Sequence, residues 1–437
     1  MKITPKMYRA ISVVALPLAS LYLMWRSRRQ PEYRQFWDER FAWSSFPLKT
    51  NRPRVWIHAV SVGETNATKP LLSAILNEWP ECDVLLTHMT PTGREAGKAL
   101  VAMAPDRVVQ CYLPYDAPYA VRKFFRQTRP TMGIIMETEV WPNLMSEANH
   151  CGIPMVLANA RESEKSREKA ARIIELMRPA FESFEVILAQ SEEDKKRFES
   201  LGAKNLLVCG SVKFDIKPNL SQVVAARDWK ARLTRPVALI ASTRVGEEAR
   251  FAKALKQNPD IRHRMLTIIV PRHPERFDSV YQLLVNEGFK VCRRSQLRDA
   301  SDIPEDCDIV LGDSMGKMSF YCAISDMVAM GGSFEPFGCQ NVIEPALAGS
   351  PVVVGPSIFN FDKIVRDGRA AGAMVQVQTP DEALTCFGEW LEKPMERVMA
   401  AEAALAFAKE YAGATDRMMK VLEEIWNKAQ KNTKSML

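Results

Sequence analysis

The sequence predicts an α/β protein: two Rossmann-like parallel-sheet domains facing a cleft, with an N-terminal membrane-anchor helix. Three observations carry the prediction. Short apolar runs recur, each followed by a helix-compatible stretch, as expected of strands buried on both faces of a parallel sheet. A Gly-, Pro- and Asn-bearing stretch, "GSVKFDIKPNLSQ" at residues 210–222, interrupts the rhythm once and reads as a linker. The chain has 437 residues, too many for one compact core.

The first element is the apolar, uncharged run "AISVVALPLASLYLMW" at residues 10–25. It is short for a full span, which takes ~20 residues. No small-x-small cleavage site follows it, which argues against a removed signal. Arg26, Arg28 and Arg29 come directly after and favour the cytoplasmic side of an anionic membrane. The run anchors in the bilayer, with Met7 and Tyr8, lies in the interface with Trp25, Phe36 and Trp37 at headgroup depth, or is a buried first helix of the globular part. Residues 1–45 are therefore assigned to an anchor with a basic and aromatic segment.

Six runs define the first domain, residues 46–215: "VWIHAV", "DVLLTH", "RVVQCYL", "MGIIME", "PMVLANA" and "VILAQS". Residues 216–235 are assigned as linker. A second series fills residues 236–437: "PVALIAST", "MLTIIVPRHPE", "FKVCRRS", "CDIVLGDS", "MVAMGGS" and "PVVVGP", before terminal helices. Such a pair of domains describes a GT-B-like architecture, although other two-domain Rossmann-like enzymes share the pattern.

Bulk composition narrows the chemistry. The net charge of +7 suits an anionic partner such as a nucleotide, a nucleic acid or an acidic membrane surface. No RNP-type aromatic motif or dense Lys/Arg helix supports nucleic acid. The nine cysteines include no Cys-x-x-Cys pair, and no His-Glu-x-x-His spacing occurs, so neither a zinc ribbon nor a disulfide framework is expected.

Ligands of open parallel sheets sit beyond the C-terminal strand ends, so the loops after the apolar runs hold the candidates. After "WIHAV", Glu64 is either a first-turn carboxylate capping a helix or a general base. Glu137 and Glu139 stand two residues apart and share a face only if the strand runs through them. "TPTG" is either a phosphate-friendly turn or a helix start at Pro91. In the second domain, Arg272 and His273 are either an anion site or ordinary helix-start residues around Pro274. "GDSMGK" brings two glycines after a strand but is not a Walker A loop. Asp306 and Asp308 mimic a metal-binding Asp-x-Asp but precede their strand, at the wrong end of the sheet. Glu344 is a helix-start acid.

In order along the chain stand "HAVSVGET", "TPTG", "LPYD", "METEVWPN", "NAR", "GSVKFD", "VPRHPERF", "GDSMGK", "GGS" and "QNVIEPA". Together they resemble the 3-deoxy-D-manno-octulosonic acid (Kdo) transferases of lipopolysaccharide synthesis, over nearly the whole chain. The resemblance implies a GT-B enzyme that moves Kdo from CMP-Kdo to a tetraacylated lipid A precursor at the inner leaflet of the cytoplasmic membrane. It implies Glu64 as base, Glu139 and Lys213 as stabilising residues, and inversion at the anomeric carbon. Glu137 remains an alternative to Glu139. It also implies CMP contacts at Pro271, Arg272, Met315, Gly316, Lys317, Asn341, Val342, Ile343 and Glu344. No metal or other cofactor is expected, and anionic lipids of the inner membrane are expected partners. The loop "GGSFEPFGCQN" departs from the family pattern, with Cys339 in place of Gly and Gln340 in place of His. A soluble sugar-nucleotide epimerase of the same architecture is the rival reading; it would need neither anchor nor apolar acceptor surface.

Overall fold

The computed structural model describes residues 4–48, 50–215 and 218–435. The chain divides into two units: Met1–Asp215 with Ala412–Leu437, and Ile216–Tyr411.

The sheet of unit one contains β1 (Arg54–His58), β2 (Asp83–His88), β3 (Val108–Tyr112), β4 (Met132–Met136), β5 (Met155–Ala160), β6 (Val186–Ala189) and β7 (Leu206–Val208). All pairs are parallel, in the order β3-β2-β1-β4-β5-β6-β7. The chain winds outward from β1 to β3 and returns on the other side at β4. The β1/β4 boundary is therefore the switch point, where loops diverge and leave a crevice. Leu71, Leu72 and Ile75 pack on one face of this sheet, Phe124, Phe125 and Leu144 on the other, all essentially buried. Each such side chain contributes about 1.5–3 kcal/mol.

Unit two holds β8 (Val237–Thr243), β9 (Leu266–Pro271), β10 (Val291–Arg293), β11 (Ile309–Leu311), β12 (Met327–Met330), β13 (Val352–Val354) and β14 (Met374–Gln376). These too are parallel, in the order β10-β11-β9-β8-β12-β13-β14, with the switch point between β8 and β12. The doubly wound α/β class expected from the sequence is present in both units. The strands that the apolar runs did not announce are β7 and β14. Each has three residues, lies at a sheet edge and is only partly buried.

Three sequence assignments change. The stretch assigned as linker, 216–235, contains a helix, Leu220–Lys230, which packs on helix Met318–Ile324 of unit two through Trp229 and Phe320. The terminal helix Ala414–Ser435, assigned to the second domain, belongs to unit one. There Met418, Leu422 and Trp426 join the core, and Trp426 stacks on Trp79 with ring centroids 4.8 Å apart. The single anchor helix is a pair, Pro5–Val14 and Leu16–Arg26, bent by 51°. Pro17, at the start of the second helix, cannot donate the bond that would continue the first. Among the described residues, no single helix is long and apolar enough to cross a membrane, although this bent pair passes on length and composition.

The pair is fastened to unit one by polar contacts. The Tyr8 hydroxyl donates to Asp116 at 2.9 Å, Arg9 pairs with Glu147 at 2.6 Å, and the Asn143 amide donates to Ser12 at 3.0 Å. Val14, Leu18, Leu21, Tyr22 and Trp25 face outward and are exposed.

Candidate active site

Sequence dictates the loop after β1. Ser61 caps helix Val62–Glu78, its hydroxyl accepting from the Glu64 N–H at 3.4 Å. The Glu64 carboxylate turns back and accepts from the Val60 N–H at 2.5 Å. The two bonds close the helix start locally, with the carboxylate reaching one residue before the N-cap. Capping does not exhaust the carboxylate. Burial pushes its pKa up to about 7; the Val60 N–H opposes that rise, and the charges of Glu137 and Glu139 add to it. A carboxyl poised at neutrality can exchange protons in both directions. Thr90 caps the next helix, Pro91–Val101, so "TPTG" is a helix start. A side chain at Gly93 would meet the Val60 carbonyl at 2.8 Å, so glycine lets this helix press against the Glu64 loop.

Across the switch point, β4 ends at Met136, so both Glu137 and Glu139 lie in the loop. They point to different partners. Glu137 is buried, sits at a left-handed φ of 62°, and pairs with Lys213 at 2.9 Å. Glu139 accepts from the Trp141 indole at 2.6 Å. Left-handed backbone is costly for a residue with a Cβ and persists where surrounding structure enforces it.

Two further residues position Lys213: Asn159, which opens the motif "NAR", and Asp215, which was not singled out from the sequence. Asn159, fully buried at φ 53°, sits in a register irregularity of β5 and accepts from the Val212 N–H at 3.2 Å. Asp215 accepts from the N–H groups of Gly413 at 2.5 Å and Ala414 at 3.0 Å, and also from Thr415. The turn Val212–Phe214 is thereby held at one end by the sheet and at the other by the terminal helix. An Asn at a strand end is a weak signal, since Asn tolerates the left-handed region; the Asp215 contact spans about 200 residues and leaves no local trace.

His58 and His88 lie beneath this site. Burial holds their pKa values down at about 3 and about 4, so both are neutral core groups.

In unit two, Pro271 ends β9, and the Arg272 N–H donates to Thr243 at 3.0 Å while its side chain is exposed. His273 lies 2.6 Å from Arg244, whose guanidinium stands over Phe337. Met315, Gly316 and Lys317 form an exposed turn, with Gly316 at φ 71° and its carbonyl held by Gln222 at 2.8 Å. Asn341 accepts from the Ile343 N–H at 3.0 Å, which starts helix Ile343–Leu347. Val342 and Ile343 are buried, and Glu344 sits in the first turn, its carboxyl pushed up by burial.

The loop after β12 lies across the switch point. A side chain at Gly331 would strike the carbonyls of Ser242 and Ala241 at 2.6 and 2.7 Å. Glu247 clamps this loop, accepting N–H bonds from Arg244, Gly332 and Phe334 at 2.8, 2.8 and 2.9 Å. Cys339, where the family pattern has Gly, adopts φ 73°, a conformation glycine would take without strain. Asp306 pairs with Lys290, and Asp308 accepts from the Lys290 N–H at 2.9 Å, so this Asp-x-Asp is an ordinary loop. Among the described residues, no group of three or more His, Cys, Asp or Glu side chains could hold a metal ion.

Residues 35–216 match the family model described as 3-deoxy-D-manno-octulosonic-acid transferase (kdotransferase). A 3-deoxy-D-manno-octulosonic acid transferase of Bordetella pertussis is 39% identical over 430 residues, 96% of this chain and 99% of that one. The chain belongs to the Kdo transferase family. The corresponding enzyme of Haemophilus influenzae is 32% identical over 95% of this chain and 97% of its own.

The Kdo transferase shares its fold with more distant proteins. The UDP-GlcNAc 2-epimerase of Neisseria meningitidis matches 85% of this chain and all of its own with a TM-score of 0.56. MurG of Acinetobacter baumannii matches 85% of this chain and 99% of its own with a TM-score of 0.52. At 13% and 15% identity these matches show the GT-B-like fold alone. The epimerase reading therefore gains nothing beyond architecture, while the transferase reading rests on near full-length sequence similarity.

Proposed function

We propose that this Kdo transferase moves Kdo from CMP-Kdo to a lipid A precursor, lipid IVA, with inversion at the anomeric carbon. The observation that carries the reading is the Glu64 carboxyl, raised to about 7 at the switch point of unit one. As a carboxylate it takes the proton of an acceptor sugar hydroxyl. That oxygen bonds to the anomeric carbon of Kdo while the bond from that carbon to the CMP phosphate oxygen breaks, and CMP leaves with the electron pair. One base and direct displacement invert the centre, as in inverting glycoside chemistry.

Lys213, held by Glu137, offsets charge on the Kdo carboxylate or the leaving phosphate. Burial brings Glu64 toward neutrality and the charges of Glu137 and Glu139 add to that rise, with Glu139 also fixing Trp141. CMP binds unit two at Pro271–Arg272, the turn of Met315, Gly316 and Lys317, and the helix start from Asn341 to Glu344. Glu344 suits a ribose diol. The reaction needs no metal or other cofactor.

The enzyme works at the cytoplasmic face of the inner membrane. The bent N-terminal pair lies in the interface, because its fastenings to Asp116 and Glu147 belong to a helix seated on protein. Arg26, Arg28 and Arg29 meet anionic lipid headgroups.

The test is to incubate purified protein with CMP-Kdo and lipid IVA. Mass spectrometry should show the acceptor gaining the mass of Kdo residues, and NMR of the product should show the inverted anomer. CMP release with no change in acceptor mass would exclude the acceptor; a retained anomer would exclude direct displacement.

A further inference from the structure

A cavity of about 290 Å³ lies beneath the N-terminal helix pair, lined by Ala15, Leu16 and Ala19 on one side and Tyr115, Val140 and Trp141 on the other. The sequence of the pair explains the space. Ser12, Ala15, Leu16, Ala19 and Leu23 recur at helical spacing and form the inward stripe, and three of the five are small. The residues between them turn outward.

The polar groups around the cavity are already engaged with each other. The Tyr8 hydroxyl donates to Asp116, whose carboxylate also accepts the N–H groups of Asn143 at 3.1 Å and Leu144 at 2.8 Å. Ser12 accepts from the Asn143 amide. What remains to a ligand is mostly methyl, methylene and aromatic surface, which suits an alkyl chain and penalises a polar one.

We infer that the cavity receives one acyl chain of the acceptor lipid. This deepens the proposed function and rests on it for the identity of the lipid. Two features select this occupant. The roof of the cavity is the helix pair whose outer face exposes Val14, Leu18, Leu21 and Trp25 next to Arg26, Arg28 and Arg29, the apolar-and-basic combination that seats on an anionic bilayer. The far wall is Val140–Trp141, and the Trp141 indole is bonded to Glu139, beside the Glu64 loop. An acyl chain drawn into this cavity from the membrane tethers its sugar headgroup to the side of unit one that carries the base. The cavity thus selects an acylated acceptor and sets its approach.

The experiment uses full-length protein in anionic vesicles and a bis-phosphorylated glucosamine disaccharide whose acyl chains carry a diazirine. After irradiation, mass spectrometry should place the label on residues 15–19 and 140–141. Ala19→Trp, which fills the cavity, should cut that label at least tenfold and raise the acceptor KM while kcat stays within about twofold. Ala19→Leu fills less, and should lower labelling with an unchanged melting temperature. Label confined to the outward residues Val14, Leu18, Leu21 and Trp25 would overturn the proposal, since it reports bilayer contact only. Unchanged labelling in both variants, or a fall in kcat with no change in KM, would overturn it as well. Labelling needs no turnover: cavity labelling without sugar transfer would refute the proposed function and leave the alkyl site, and transfer without cavity labelling would do the reverse.

Discussion

Each unit places a glutamate at the first helix after its innermost strand, and the two fare differently. Glu247 is fully buried and holds three backbone N–H groups from both sides of its switch point. Glu64 remains partly exposed; burial raises its pKa to about 7, the charges of Glu137 and Glu139 add to the rise, and the backbone at Val60 and Ser61 opposes it, while burial also raises the Glu247 carboxyl against its three N–H groups. The same residue in the same topological place is thus a fastener in one sheet and, in the proposed function, a proton acceptor in the other. The difference is in what surrounds them: three backbone bonds tie Glu247 into two loops, whereas Glu64 keeps some solvent access beside two further carboxylates. The loops around the two glutamates complete the contrast. Unit one gathers Glu64, Glu137 and Glu139 with Lys213, whereas unit two presents Arg244, Arg272, His273 and Lys317.

The strongest test of that contrast is Glu64→Gln. Turnover should fall by about 10²–10⁴-fold, as for loss of a general base, while CMP affinity, assigned to unit two, stays unchanged. A first-turn capping role alone would cost up to ~1 kcal/mol of stability and spare turnover; a single-turnover rate with a thermal melt on this variant decides.

The next largest effect belongs to the cations of unit two. Removing a charge-assisted bond to phosphate by Arg272→Ala or Lys317→Ala should weaken CMP binding about tenfold, measured by calorimetry, and leave the pH profile of the chemical step in place. If either moves that profile instead, the division of labour between the units is wrong.

The profile itself sharpens the picture. Glu64 acts as a carboxylate, so kcat/KM should rise with pH through about 7, and at one unit below that value about a tenth of the base is available. Burial is the main cause of the raised pKa, and the charge of Glu139 adds to it. Glu139→Gln should therefore shift the rising limb to lower pH. A limb that stays put would mean that Glu139 does not act on Glu64 through its charge.

Asp215→Ala removes the acceptor that starts the terminal helix and should cost about 1–2 kcal/mol, read as a lower melting temperature for unit one together with slower turnover. The smallest expected effect is that of EDTA, which should leave turnover intact; loss restored by magnesium or manganese would refute a metal-free reaction.

Much of this was legible in the chain. Apolar runs disclosed both sheets because strands buried on two faces cannot hide polar residues. The Glu64 loop was legible because Ser61 and Glu64 are local capping residues. Edge strands β7 and β14 were not, since each has only three residues and is too short to stand out from the turns and helices around it. Pro17 announced the break in the N-terminal helix, but composition alone favoured a single anchor. Asn159 stood in the motif "NAR" without its bond to Val212 being legible, and Asp215 was silent, because their partners lie far along the chain. Glu137 was weighed as an alternative to Glu139; its partnership with Lys213 follows from a left-handed backbone that no spacing rule encodes.

The Asp215 contact has a consequence for biosynthesis. Unit one is completed by residues that follow the whole of unit two, 216–411. At bacterial or eukaryotic elongation rates those 196 residues take roughly 10–40 s to synthesise. Throughout that interval the nascent first unit lacks the partner of Trp79 and the far anchor of the Lys213 turn. An apolar face stands open, in reach of chaperones, and the Lys213 turn gains its far anchor only when the helix Ala414–Ser435 has been made.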